Sequence, residues 1–115
     1  MNRINPILAN NMKTQKYINN WANDVFGKPI SHIQIASRAN EEMAELLNSL
    51  SLNDNNEKAE EECADVVICL YRLAEEMGFD LNGAVNKKMT INIKREWHTD
   101  NNGIGYHKQI ISEPK

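Results

Sequence analysis

The sequence predicts an all-α fold, and three observations carry that prediction. No stretch keeps up the period-2 alternation of a half-buried strand. Apolar residues instead recur at helical spacing. Glycine, proline and asparagine punctuate the chain at the intervals expected of helix ends. We therefore expect a four-helix bundle with an extended C-terminal tail: one domain over residues 1–115, with a core at about 12–97 and a tail over 98–115.

The first helix is expected over about 12–26, where Met12, Tyr17, Trp21 and Val25 share a face. Gly27 suits its C-terminal cap, and Pro29 blocks continuation. Ser31 can cap a second helix running to about residue 51, with Ile35, Ala39, Met43, Leu46 and Leu50 as its core stripe. Asn53-Asp54-Asn55-Asn56 reads as a turn. A short connection of this kind sets the second and third helices antiparallel. The third helix is expected over 57–77, with Val66, Cys69, Leu73 and Met77 inward and Gly78 closing it. Asp80 is placed to cap a fourth helix reaching about Trp97, and His98 to Lys115 reads as the tail.

Length and composition bound the function. A chain of 115 residues supports one modest core, and partner subunits would help it. The formal charge of -3 argues against a generic nucleic-acid polymer binder. No apolar run reaches the ~20 residues that span a bilayer. The opening MNRINPILANNMK lacks the apolar segment of a secretory signal, so a cytoplasmic protein is expected. Cys63 and Cys69 lie six apart on one expected helix, about 9 Å at 1.5 Å per residue, which is too far for a disulfide. They read as small buried hydrophobes.

The charge is unevenly spread. Residues 1–40 carry +4, residues 41–65 carry -8, and residues 66–115 carry +1. Within the acidic window, Glu42 and Glu45 are three apart, on a stripe with Arg38 and Ser49. Glu62 and Asp65 are also three apart. Glu62 shares the apolar face of its own helix with Val66, Cys69 and Leu73. If the two pairs meet, they form a nest of inward carboxylates, and unpaired charges there are costly. A hard divalent cation relieves that cost, because Mg²⁺ and Mn²⁺ favour oxygen ligands. The alternative is a solvated acidic face, favoured in part by the helix N-terminus beside Glu57, Glu60, Glu61 and Glu62. On the fourth helix, Lys88, Asn92 and Arg95 share a face, and a point charge, a neutral donor and a bidentate fork make a phosphate-binding set.

These blocks resemble a known family. Glu41-Glu42-x-x-Glu45 followed by Glu62-x-x-Asp65 is similar to the EExxE…ExxD signature of the MazG-like, all-α nucleoside triphosphate pyrophosphohydrolases. Lys88-x-x-x-Asn92-x-x-Arg95-x-Trp97 resembles the family's third block. Trp21, Val25-Phe26-Gly27, Arg38 and Gly103-x-Gly105-Tyr106-His107 look more like short phage and prophage members, some of which act on deoxypurine triphosphates. The chain has one motif set, unlike the two-domain bacterial form.

The resemblance implies Mg²⁺-dependent hydrolysis between the α and β phosphates, with Mn²⁺ able to substitute. It implies Glu42, Glu45, Glu62 and Asp65 as metal ligands and Glu41, Glu45 and Lys88 as catalytic. Arg38, Lys88, Asn92, Arg95, Trp21 and His107 would bind substrate, with purine dNTPs (dATP or dGTP) favoured. A homodimer or homotetramer is implied as well. Two alternatives stand beside this: a diphosphohydrolase of the same fold acting on dUTP or modified nucleotides, and a non-catalytic helical interaction module.

Overall fold

A computed structural model of the chain describes residues 12–52 and 56–108. The opening segment read for a signal, the Asn53–Asn55 part of the expected turn, and the tail from 109 onward lie outside the described residues. Four helices follow in order: α1 Gln15–Phe26, α2 His32–Ser51, α3 Asn56–Met77 and α4 Leu81–Lys94. Two short strands come after them, β1 Trp97–Thr99 and β2 Gly105–His107. The fold is all-α, as the periodicity predicts. The chain divides into two units, Met1–Leu81 and Asn82–Lys115.

In the first unit α1 and α2 start where a side chain accepts an orphan backbone N–H. The Thr14 hydroxyl accepts from the Tyr17 N–H at 3.1 Å, so α1 starts slightly later than the apolar spacing suggests. The Ser31 hydroxyl accepts from the Gln34 N–H at 3.2 Å, as expected for α2. Gly27 ends α1 at φ 91°, a conformation that side chains other than glycine rarely tolerate. Gly78, at φ 85°, follows α3, and its N–H donates to the Ala74 carbonyl at 2.8 Å.

α3 packs against both α2 and α1. Glu42 before the α2–α3 connection meets Glu62 and Asp65 beyond it, which requires the two helices to run antiparallel. The apolar core among the described residues is small: Ala22, Ile35, Ala39, Val66 and Ala74. Ile35, Ala39 and Val66 come from the expected stripes. Met43, Leu50 and Met77 do not, since all three are exposed. The buried positions nearby are taken by Glu42 and Ala74. Tyr17, Trp21 and Val25 share a face of α1, but that face is exposed and Asn19 and Ala22 point inward instead. Cys63 and Cys69 are free thiols, and Cys63 is exposed rather than a buried hydrophobe.

A polar seam explains why α1 turns Asn19 inward. The Gln15 amide donates to Glu75 at 3.0 Å and to the Phe79 carbonyl at 2.7 Å. The Asn19 and Asn23 amides donate to one oxygen of Glu76 at 2.8 and 3.0 Å, and Lys28 Nζ donates to the other at 3.2 Å. Arg72 answers from α3, donating to Asn23 Oδ1 at 3.0 Å and to the Gly27 carbonyl at 2.9 Å. Direct amide bonds to a largely buried carboxylate stabilise more than neutral ones.

No residue of α4, which runs from the end of the first unit into the second, is buried. The tail is not simply extended. Residues 97–107 form an antiparallel hairpin that pairs Trp97 with His107, His98 with Tyr106 and Thr99 with Gly105. Accordingly the fourth helix stops at Lys94, short of Trp97. The Thr99 hydroxyl and the Asp100 carboxylate accept the Asn101 and Asn102 N–H groups at 3.1 and 3.0 Å and fold the turn. Gly103 supplies φ 89° there. The sequence does carry a signal for this turn, Asn102-Gly103, and the expectation of an extended tail passes over it.

Candidate metal centre

The α2–α3 interface places three carboxylates together. One ligand oxygen from each of Glu42, Glu62 and Asp65 lies within 4.8 Å of the others. Glu42 and Glu62 are buried, at 8% and 4% exposure, and Asp65 is the more open of the three. The spacing explains the arrangement. Glu62 and Asp65 are one turn apart on α3, and Glu42 arrives from the facing helix.

Each buried carboxylate has a cation one turn before it. Arg38 forks across α2, with one guanidinium nitrogen 2.8 Å from Glu41 and the other 2.8 Å from Glu42. Lys58 Nζ lies 3.9 Å from Glu62. Burial pushes the Glu42 carboxyl above its ordinary pKa, Arg38 pulls it back, and the charges of Glu45, Asp65 and Glu62 push it up again. The Arg38 guanidinium is held more firmly protonated by its bond to Glu41 and by the charge of Glu42. Burial and the Glu42 charge also keep the Cys69 thiol protonated.

Three hard oxygen donors converging in a half-dry interior fit a divalent cation such as Mg²⁺ or Mn²⁺. The two buried carboxylates among them are each approached by a cation, Glu42 by Arg38 and Glu62 by Lys58.

The expected site residues fall into groups. Glu42, Glu62 and Asp65 are brought together. Glu45 is exposed and is not among the three converging ligands, though its charge is felt at Glu42. Glu41 is exposed and held by Arg38. Trp21 packs edge-on against Phe26, ring centroids 5.3 Å apart, and stays 50% exposed. In the second unit, Lys88 is exposed while Asn92 and Arg95 are half-buried. The Asn92 carbonyl accepts from Trp97 Nε1 at 2.9 Å, and its side-chain oxygen is buried without a partner among the described residues. His107 lies against the Trp97 ring, centroids 5.8 Å apart. Sequence reasoning missed Lys58, although its position four before Glu62 mirrors that of Arg38 before Glu42.

A model of the MazG-like family matches residues 33–107. The chain belongs to the MazG-like family. The matched region contains the whole carboxylate cluster and runs through the hairpin. Among solved structures, this MazG-like chain is similar to the cyanophage S-2L MazG-like pyrophosphohydrolase bound to dGDP and three catalytic Mn²⁺ ions per active site. That likeness has a TM-score of 0.66 at 27% identity and covers 83% of this chain and 93% of the cyanophage one. No curated protein matches the chain.

Proposed function

We propose that this MazG-like protein is a nucleoside triphosphate pyrophosphohydrolase that releases pyrophosphate and leaves a nucleoside monophosphate, with purine deoxynucleotides as its preferred substrates. The observation that carries this reading is the convergence of Glu42, Glu62 and Asp65 within 4.8 Å, two of them buried. Glu45 is assigned to the same ligand set, reaching it from one turn along α2. The dGDP and Mn²⁺ of the cyanophage relative support both the nucleotide and the divalent cation, with Mg²⁺ as the expected physiological ion. When bound, divalent cations polarise phosphate oxygens and acidify a coordinated water.

The chain's own residues supply the remainder. Water attacks the α phosphorus, the bond from that phosphorus to the bridging oxygen breaks, and pyrophosphate leaves. Glu41 or Glu45 receives the water's proton. Lys88 and Arg95 neutralise phosphate charge, and catalysis of this kind rests mainly on positioning and electrostatics. Arg38 adds phosphate contact, Asn92 meets a phosphate or the sugar, His107 meets a phosphate, and Trp21 stacks on the base.

Self-association as a homodimer or homotetramer belongs to the same reading. A core of five modest side chains leaves Tyr17, Trp21, Ile33, Val85 and Ile93 exposed, and a second copy would cover such residues. Light scattering of the purified chain tests this, and a monomer at all concentrations would refute it.

The deciding experiment is a panel of ribo- and deoxynucleoside triphosphates, dUTP and modified nucleotides included, with Mg²⁺ or Mn²⁺ and pyrophosphate detection. dATP and dGTP are expected to turn over fastest. Preference for dUTP or a modified base would replace the substrate assignment. No release from any nucleotide, together with no metal-dependent change in thermal stability, would return the protein to a helical interaction module.

A further inference from the structure

The two buried carboxylates each have a basic companion at the same spacing. Arg38 stands four residues before Glu42 and Lys58 four before Glu62, each one helical turn back on the same face. Both cations reach inward from exposed positions: the side chains of Arg38 and Lys58 are 56% and 58% exposed, those of Glu42 and Glu62 only 10% and 6%. A long basic side chain anchored in solvent can leave at little cost, whereas a buried carboxylate cannot. Arg38 is also divided, since its other nitrogen bonds the exposed Glu41, which offers a resting place once Glu42 is surrendered.

We propose that Arg38 and Lys58 are displaceable counter-ions that balance the carboxylate cluster in the cation-free protein and set its affinity for divalent cations by competing for Glu42 and Glu62. This rests on reading the cluster as a cation site. It differs from a purely architectural role in the sign of its consequence. A residue that only pre-orients Glu42 would weaken cation binding when removed. A competitor tightens it when removed. Arg38 is the stronger competitor, because its contact to Glu42 is 2.8 Å against 3.9 Å for Lys58 and Glu62.

The test is Mn²⁺ titration of the full chain, followed by the paramagnetic signal of free Mn²⁺ and by calorimetry, without nucleotide. R38Q is expected to bind Mn²⁺ at least about threefold more tightly than the wild type, K58Q less so, and the double variant most tightly. R38K keeps the charge and loses the fork, so it should fall between wild type and R38Q. It also serves if R38Q does not fold. Unchanged or weaker Mn²⁺ binding in R38Q and R38K overturns the proposal. D65N separates the two levels: if D65N binds Mn²⁺ as the wild type does, the cluster is not the cation site. If D65N loses Mn²⁺ while the Arg38 variants match wild type, the site stands and the counter-ion role falls.

Discussion

The Asn19 side-chain amide donates to Glu76 at 2.8 Å across the α1–α3 interface, and Asn23 donates to the same carboxylate oxygen at 3.0 Å. These bonds, with Lys28 on the other oxygen, hold the Glu76 carboxyl down from 4.5 to about 2. A depressed acid contributes stability that is complete above its unfolded value and is lost as the pH falls through its folded one. E76Q should therefore cost about 2 kcal/mol near neutral pH. The deficit should shrink as the pH falls from about 4.5 towards 2. Denaturant titrations of both proteins across that range check it, and a deficit independent of pH would assign the loss to packing rather than charge.

Added Mn²⁺ or Mg²⁺ should raise the melting temperature of the wild type. The gain corresponds to about 2.7 kcal/mol when the ion stands at a hundred times its dissociation constant. E62Q and D65N should keep the helical circular dichroism, lose most of that shift, and abolish pyrophosphate release. A full metal shift in both variants would remove Glu62 and Asp65 from the ligand set.

Cation binding should weaken with acid sooner than an ordinary carboxylate site would. Ligand carboxylates must be deprotonated, and Glu42 protonates at a higher pH than usual because burial and its acidic neighbours disfavour its charge. Mn²⁺ affinity measured from pH 7 down to 4.5 should fall progressively, and E42D, with its shorter reach, should alter the midpoint of that fall. A flat profile over the range would mean that Glu42 does not ligate.

Substitutions in the substrate set should separate binding from folding. Trp21 is half exposed, so W21A should change thermal stability by less than about 1 kcal/mol. It should raise KM for the preferred nucleotide several-fold, since base stacking on an aromatic ring is worth about 1–3 kcal/mol. R95A should lower kcat/KM by about tenfold or more while leaving Mn²⁺ affinity in place. Steady-state kinetics beside calorimetry distinguishes these outcomes, and an R95A enzyme with wild-type kcat/KM would remove Arg95 from the phosphate set.

Much of this was legible in the sequence, for identifiable reasons. Glu62 could be placed on an apolar face because Val66, Cys69 and Leu73 share its helical phase, and its 4% exposure agrees. Ser31 and Gly27 marked helix ends because capping chemistry is local. The inward face of α1 was hidden. Its bulkiest residues lie outward, and Asn19 turns inward for partners on α3 that are distant in sequence. Met77 is not a core residue: it is exposed, while Ala74, three positions earlier on α3, is fully buried. The hairpin is too short for alternation to register, and only Asn102-Gly103 announces it.

Among the described residues, three of the five apolar core side chains are alanines, at positions 22, 39 and 74. Small side chains let helix backbones draw close, and that closeness lets carboxylates from α2 and α3 converge within 4.8 Å. Ala39 sits one turn before the acidic cluster on α2. On the proposed reading of the cluster as a cation site, a larger side chain at Ala39 would spread the carboxylates, and ligand spacing separates a small ion that demands short, regular coordination from a larger, more tolerant one such as Ca²⁺.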